Sequence, residues 1–236
     1  YLKDFQSFID YNIQDVEIVD RLEDKMRLIE LCLTMAYDAK VNYMDVLGSV
    51  KYWDILIYNE LRKKNIVIPQ KIQREKSDKF EGAYVKDPIV GLHKWVMSFD
   101  LNSLYPHLIM QYNISPETLV ADKAVKNMSV EKMLNKEVDT SILKDATMTP
   151  NGALFKTTQK GFLPELMQKM YDDRVKFKQL MIEAQKDYEK TKDPKLQKTI
   201  AKFNNIQMAK KISLNSAYGA IGNVWFRYYN LLVAEA

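Results

Sequence analysis

One cysteine, Cys32, and two histidines, His93 and His107, are all the thiol and imidazole groups in 236 residues. A single thiol excludes an intrachain disulfide and a multi-cysteine zinc site, so an intracellular setting is expected. The histidines fall in no metal-ligand spacing and read as structural or surface groups. No apolar run approaches the roughly 20 residues of a membrane span, so no membrane partner is expected. There is no signal-like segment and no internal repeat. The chain begins at Tyr1 rather than Met and stops at Ala236 inside what reads as a continuing helix, which suggests a fragment or a processed piece.

What is present is ordinary in amount but not in placement. The apolar content of 47% and charged content of 28% fit a globular protein of one large or two small domains. The net charge of +4 is unevenly distributed: residues 1–150 hold 20 Lys/Arg against 23 Asp/Glu, whereas residues 151–236 hold 15 against 8. All of the basic surplus lies in the second part. It could be a solvated helical face or the footprint of a phosphate-bearing partner.

Residues 1–65 carry apolar side chains at helical spacing, with a second amphipathic helix through Val50, Trp53, Leu56 and Leu61. Lys71 to Lys79 is charged and reads as a linker. Residues 80–88 start strand-like, and Gly91 to Leu92 turns the chain into an apolar strand ending at Asp100. Residues 120–150 give no clear pattern. Pro150-Asn151-Gly152 marks a turn, Ala153 to Thr158 a short strand, and Lys160-Gly161 another turn. Helical patterns from Pro164 to about Lys190 and from about Leu196 to Tyr218 flank the breaker Lys192-Asp193-Pro194. They predict an antiparallel helical hairpin, which the chain leaves near Gly219 and Gly222.

The most informative stretch is 95–119, WVMSFDLNSLYPHLIMQYNISPETL. Its apolar strand ends at Asp100, and a helix begins within three residues at Ser103, Leu104, Tyr105 and Pro106. The strand end places a carboxylate at the mouth of a sheet, and the unpaired N–H groups of the next helix favour an anion. Pro106 suits a first helical turn. Asp-Leu-x-Ser-Leu-Tyr-Pro followed by Asn113-Ile-Ser-Pro116-Glu-Thr118 resembles motif A of family B (polymerase-alpha-like) DNA polymerases, nearest to replicative enzymes of myovirus-type bacteriophages.

On the helical hairpin, Arg174 and Lys178 share one face, as do Lys211 and Asn215, with Tyr218 one turn on. Facing one another, the first four make a claw of donors suited to a triphosphate. Lys211-Ile-Ser-Leu-Asn215-Ser-Ala-Tyr218-Gly219 is similar to motif B of the same family. The resemblance implies that Asp100 binds both catalytic Mg²⁺ ions, with the Leu101 carbonyl as a further ligand. It also implies that the N–H groups of Ser103, Leu104 and Tyr105 cradle the β- and γ-phosphates, while the Tyr105 ring lies beneath the sugar. Arg174, Lys178, Lys211 and Asn215 would hold the dNTP triphosphate, and Tyr218 and Gly219 would line the nascent base pair. Phe80-Glu-Gly82-Ala83 resembles a template-contacting element, with Phe in place of the usual Tyr. Tyr11-Asn-Ile-Gln-Asp15 matches the Tyr-x3-Asp exonuclease motif, in which the pair would position a water and bind metal.

Two-metal phosphoryl transfer needs more than one carboxylate. The family's second palm carboxylate lies in an Asp-Thr-Asp motif after motif B. No Asp-x-Asp follows Tyr218 here, where the only acid is Glu235. The upstream exonuclease carboxylates are likewise absent, so the chain alone is expected to turn over neither reaction. An incomplete palm is also expected to expose apolar surface.

The expected fold is α+β: a helical exonuclease remnant with linker over 1–78, a first segment of a partial antiparallel palm sheet over 79–150, an antiparallel two-helix fingers hairpin over 151–222, and the start of a second palm segment over 223–236. Expected partners are primer-template DNA, dNTP and a second polymerase chain supplying the rest of the palm and the thumb. The location would be the host cytoplasm if the gene is a phage's. Three readings stay open: a piece of a DNA polymerase, whether cut from a longer chain or one part of a split enzyme; a non-catalytic nucleic-acid-binding protein; and a structural relic.

Overall fold

Two buried aromatic neighbours, Tyr52 and Trp53, tie the first part of the chain to the last. A computed structural model describes residues 4–72, 85–120 and 125–236. Helix α1 spans Phe5–Met26, opened by the Asp4 carboxylate accepting from the Ser7 N–H at 3.0 Å, and it contains no buried residue. Arg27, in the left-handed conformation, separates it from α2, Leu28–Ala39. After a tight 3₁₀ turn at Tyr43–Leu47 comes α3, Ser49–Lys63. The Trp53 indole donates to the Ser213 carbonyl at 3.2 Å and to the Ser216 hydroxyl at 3.1 Å. The Tyr52 hydroxyl lies 2.6 Å from the Ser213 hydroxyl.

Those serines sit on the hairpin. Its first arm, α6, is Phe162–Thr191, and its second, α7, is Pro194–Ile221. Lys192 turns the chain in the left-handed conformation, Asp193 accepts from the Lys195 N–H at 2.9 Å, and Pro194 takes the first helical position. The arms run antiparallel, with Phe177 and Phe203 rings 6.0 Å apart about midway along them and Asp173 close to Lys210 nearer the base. Between α3 and the hairpin come α4, Leu104–Tyr112, and α5, Val130–Leu134. They are followed by a two-stranded antiparallel sheet, β1 Ala146–Met148 and β2 Leu154–Lys156, with Thr147 opposite Phe155. A last short helix, α8, spans Leu231–Glu235.

One core joins these pieces: Tyr52, Trp53 and Ile57 of α3, Phe155 of β2, Leu163 and Met167 of α6, Leu214 and Ala217 of α7, and Phe226. It therefore crosses the segment boundaries expected at 78 and 150. Among the described residues no helix is long and apolar enough to cross a membrane.

The α+β class and the antiparallel helical hairpin are as expected from sequence. The apolar strand ending at Asp100 is not: residues 85–102 form no helix or strand, and Trp95, Val96, Met97 and Phe99 are exposed. A strand is held by the neighbour that takes its N–H and C=O groups, and no described strand pairs with this stretch. The four residues 85–88 of the strand-like start are equally irregular, and Phe80, Gly82 and Ala83 lie outside the described residues. The short strand expected over 153–158 contracts to β2, while β1 and α5 occupy the stretch that gave no pattern. The hairpin arms extend past their expected ends, and α7 continues through Gly219 to stop at Gly222.

The β1–β2 turn closes with the Gly152 N–H donating to the Thr149 carbonyl at 2.8 Å, and Gly152 has φ of 82°. A Cβ there would meet the Val125 carbonyl oxygen at 2.1 Å. Gly152→Ala is expected to lower unfolding stability by about 2 kcal/mol or more in urea titrations, from the left-handed backbone and the collision together.

Burial pushes the Tyr52 phenol up to about 12 against its ordinary 10, with the Asp38 carboxylate acting in the same direction and the Ser213 hydrogen bond against it. The folded chain thus keeps a proton that the unfolded chain releases above pH 10, and the stabilisation, complete below pH 10, drains away towards pH 12. Urea midpoints should fall across that window in the parent and fall less steeply in Tyr52→Phe.

Candidate functional site

The hairpin and α4 meet around two contacts. Ser103 precedes α4 in the left-handed conformation, φ 53°, and its hydroxyl accepts from the Arg174 guanidinium of α6 at 3.2 Å. Its carbonyl takes the His107 N–H at 3.1 Å and lies 2.9 Å from the His107 Nδ1. His107 also packs edge-on against Tyr171, centroids 4.7 Å apart, so it is structural, as its sequence context indicates. A non-glycine residue held in the left-handed region needs such fixing, and here both neighbours of the helix start supply it.

One turn on, the Tyr105 ring stacks on Tyr218 of α7, with centroids 4.9 Å apart and planes at 15°. Burial, with Tyr105 beside it, moves the Tyr218 phenol upward, so it is a neutral donor at neutral pH. The pair borders a cavity of about 200 Å³ whose remaining wall is largely apolar, including Leu108, Ile114 and Ile221. At the start of α4 the first N–H groups, those of Leu104 and Tyr105 among them, have no intrahelical acceptor.

Lys178, Lys211 and Asn215 are exposed, and Arg174 is half-buried with its Nε lacking a partner among the described residues. Gly219 is exposed as well, and a Cβ there would meet nothing within 4 Å, so the helix backbone is open to approach. The structure thus brings Ser103 to Arg174 and Tyr105 to Tyr218, and leaves Lys178, Lys211 and Asn215 as solvent-facing donors on the two arms.

Asp100 and Leu101 are exposed in the irregular stretch, and Asp100 has no hydrogen-bond or ion-pair partner among the described residues. No three His, Cys, Asp or Glu side chains among the described residues gather as a metal site. One carboxylate and one carbonyl do not fit a pair of divalent ions, and Asp100 brings no second acid with it. Tyr11 and Asp15 lie one turn apart on α1, both exposed, at a distance in sequence from every other candidate.

Sequence reasoning passed over the residues that place the donors. Lys210 looks like one half of a surface doublet with Lys211, yet it is buried and donates to both Asp38 oxygens at 2.8 Å, with Asp173 at 3.5 Å. Asn113 donates to the Lys156 and Gln159 carbonyls at 2.6 and 2.8 Å and accepts from the Gly161 N–H at 2.9 Å. The Asn113–Thr118 stretch is therefore the joint that sets the base of α6 against the end of α4. Its one signal in the sequence was membership of the motif-A string.

A family model described as DNA polymerase family B matches residues 49–236. The chain belongs to family B of the DNA polymerases. Among similar family B chains, the DNA-directed DNA polymerase of Escherichia phage RB69 is 33% identical over 98% of this chain and 30% of its own length. That of Enterobacteria phage T4 is 31% identical over 98% and 30%. The DNA polymerase delta catalytic subunit of Arabidopsis thaliana is 31% identical over 90% of this chain and 18% of its own. The chain thus spans less than a third of these relatives. The structure of the family B DNA polymerase from the archaeon Pyrobaculum calidifontis shares the fold, with a TM-score of 0.64 at 23% identity, over 91% of this chain and 25% of that one.

The aromatic stack is the contact most open to direct measurement. Tyr105→Ala and Tyr218→Ala should each destabilise the chain, and the double-mutant cycle should leave a coupling of about 0.5–1.5 kcal/mol. Tyr218→Phe should keep that coupling.

Proposed function

We propose that this chain is the nucleotide-binding part of a DNA-directed DNA polymerase that extends a primer 3′ end by two-metal phosphoryl transfer, with primer-template DNA and dNTP as partners. The observation that carries this is the pair of contacts joining the start of α4 to both hairpin arms, Arg174 to Ser103 and Tyr105 to Tyr218. A triphosphate lying over the start of α4 meets the N–H groups of Ser103, Leu104 and Tyr105 on one side and the donors Arg174, Lys178, Lys211 and Asn215 on the other. Arg174 supplies a planar fork for phosphate oxygens, and the two lysines supply mobile point charges. The Tyr105 ring takes the sugar, and Tyr218 with Gly219 faces the base pair being formed.

In this reading residues 1–78 are the end of a 3′–5′ exonuclease region and its linker, 79–150 a first palm segment, 151–222 the fingers, and 223–236 the beginning of a second palm segment. Gly82 and Ala83 contact template, and Tyr11 and Asp15 belong to the exonuclease site. Asp100 and the Leu101 carbonyl would supply only part of a Mg²⁺ ligand set, which a second carboxylate would have to complete. With a single palm carboxylate, the 236-residue chain binds nucleotide without turning it over. In each phage relative the matching stretch is 30% of one polypeptide, so the comparisons give no support to a separate second chain. The enzyme's place of work is wherever the replicating DNA lies inside the cell.

Two measurements on the 236-residue chain test this. Equilibrium binding of a dNTP should weaken about tenfold or more in Arg174→Ala and in Lys211→Ala, consistent with loss of a charged hydrogen bond. Primer extension with Mg²⁺ should be absent. Robust extension that depends on Asp100 would overturn the claim of inactivity, and undiminished dNTP binding in both variants would overturn the site.

A further inference from the structure

Away from the nucleotide site, α2 and the outer half of α7 lie side by side and leave an open groove of about 640 Å³ between them. Its α7 wall presents Lys198 and Lys202, one turn apart and both exposed, and its α2 wall presents Leu33 and Tyr37. Neither lysine has an acidic partner within ion-pair distance among the described residues. The one acid in the groove, Glu30, is already engaged: Arg27 lies 3.1 Å from it and Asn205 donates to it at 3.0 Å. Tyr37 is 84% exposed, on a helix whose other side buries Met35, Ala36 and Ala39.

We infer that this groove is a second nucleic-acid site, one that takes a single strand. Two uncommitted cations about 6 Å apart along α7 suit successive phosphates of an extended strand. The open face of Tyr37 offers a platform on which an unpaired base stacks, and a duplex, whose bases already stack on one another, could not use it. The same cations would attract an acidic peptide, but such a peptide has no need of the ring. The 13 residues from Lys202 to Asn215 place the groove about 20 Å along α7 from the triphosphate donors, so the two sites are separable by mutation. The inference does not rest on the proposed nucleotide site.

The test is fluorescence anisotropy of a labelled oligothymidylate of about 12 nucleotides with the 236-residue chain, from about 50 mM to about 200 mM salt. Lys198→Glu/Lys202→Glu should weaken binding about tenfold or more at the low-salt end and flatten the salt dependence, and Tyr37→Ala should weaken it about fivefold. Lys178→Glu/Lys211→Glu should weaken it less than the groove pair does. All of these side chains except that of Tyr37 are charged and exposed, and circular dichroism of each variant confirms that the helices persist. The inference is overturned if the groove pair binds as the parent does, or if Tyr37→Ala is without effect while polyglutamate competes as well as unlabelled oligothymidylate. Loss of dNTP binding in Lys178→Glu/Lys211→Glu bears on the nucleotide site alone.

Discussion

The hydrogen bonds from Tyr52 and Trp53 of α3 to Ser213 and Ser216 of α7 fix the rotation of the helix on which Lys211 and Asn215 stand. Tyr52 and Trp53 are both 1% exposed, and a phenol and an indole so placed must find acceptors or forfeit their desolvation cost. On α7 the groups that meet them are a hydroxyl and a carbonyl at 213 and a hydroxyl at 216. At about 100° per residue, turning Ser213 towards α3 puts Lys211 and Asn215 each about 160° away, on the opposite side of the helix. The exposure of Lys211 and Asn215 is thus a consequence of what Ser213 does on the buried side.

The adjacent lysines 210 and 211 show the same constraint as charge. A buried ammonium is tolerated only with counter-charge and hydrogen bonds, and Lys210 has Asp38 of α2 and Asp173 of α6. Removing Asp38 would leave the Lys210 ammonium with Asp173 alone, at 3.5 Å, so the triad ties three helices to one geometry. Lys211, turned by one residue, keeps its charge in water. The base of the hairpin is therefore not an independent arm: it is built on α2 and α3, which come before both α4 and the hairpin in the chain.

The hairpin was legible because its signals are local and redundant, with long helical periodicity on both sides of Lys192-Asp193-Pro194 and an Asp cap ahead of a proline. The motif residues were legible through the length of the strings around Asp100 and Asn215, since an Asp before a helix or a pair of basic residues is common on its own. Asp38 and Lys210 were not legible. Their partnership spans 172 residues, and only burial distinguishes Lys210 from Lys211. The strand expected at 95–100 failed for a related reason: its apolar run states that it can be buried, while strand formation depends on a neighbour that no local pattern supplies.

That failure separates the two halves of the proposed nucleotide site. The helical half, from Ser103 to Tyr105 and across to Arg174 and Tyr218, is held by core packing and by side-chain contacts that are already made. The carboxylate half hangs on a segment in which Trp95 is 97% and Phe99 86% exposed, so nothing among the described residues fixes the Asp100 side chain in direction or distance. Binding a triphosphate needs donors within reach, and flexible lysines can supply them. Phosphoryl transfer is less forgiving, because a displacement of about 1 Å at the reacting centre can cost about a hundredfold in rate. Burying the exposed apolar side chains of 95–99 against a sheet would remove apolar area from water and, in the same step, lock the alternation that sets the direction of Asp100. In the proposed site, ordering of the carboxylate would follow closure of a sheet, whereas the residues proposed to hold phosphate stand on helices that the core already places. The two can be gained or lost separately.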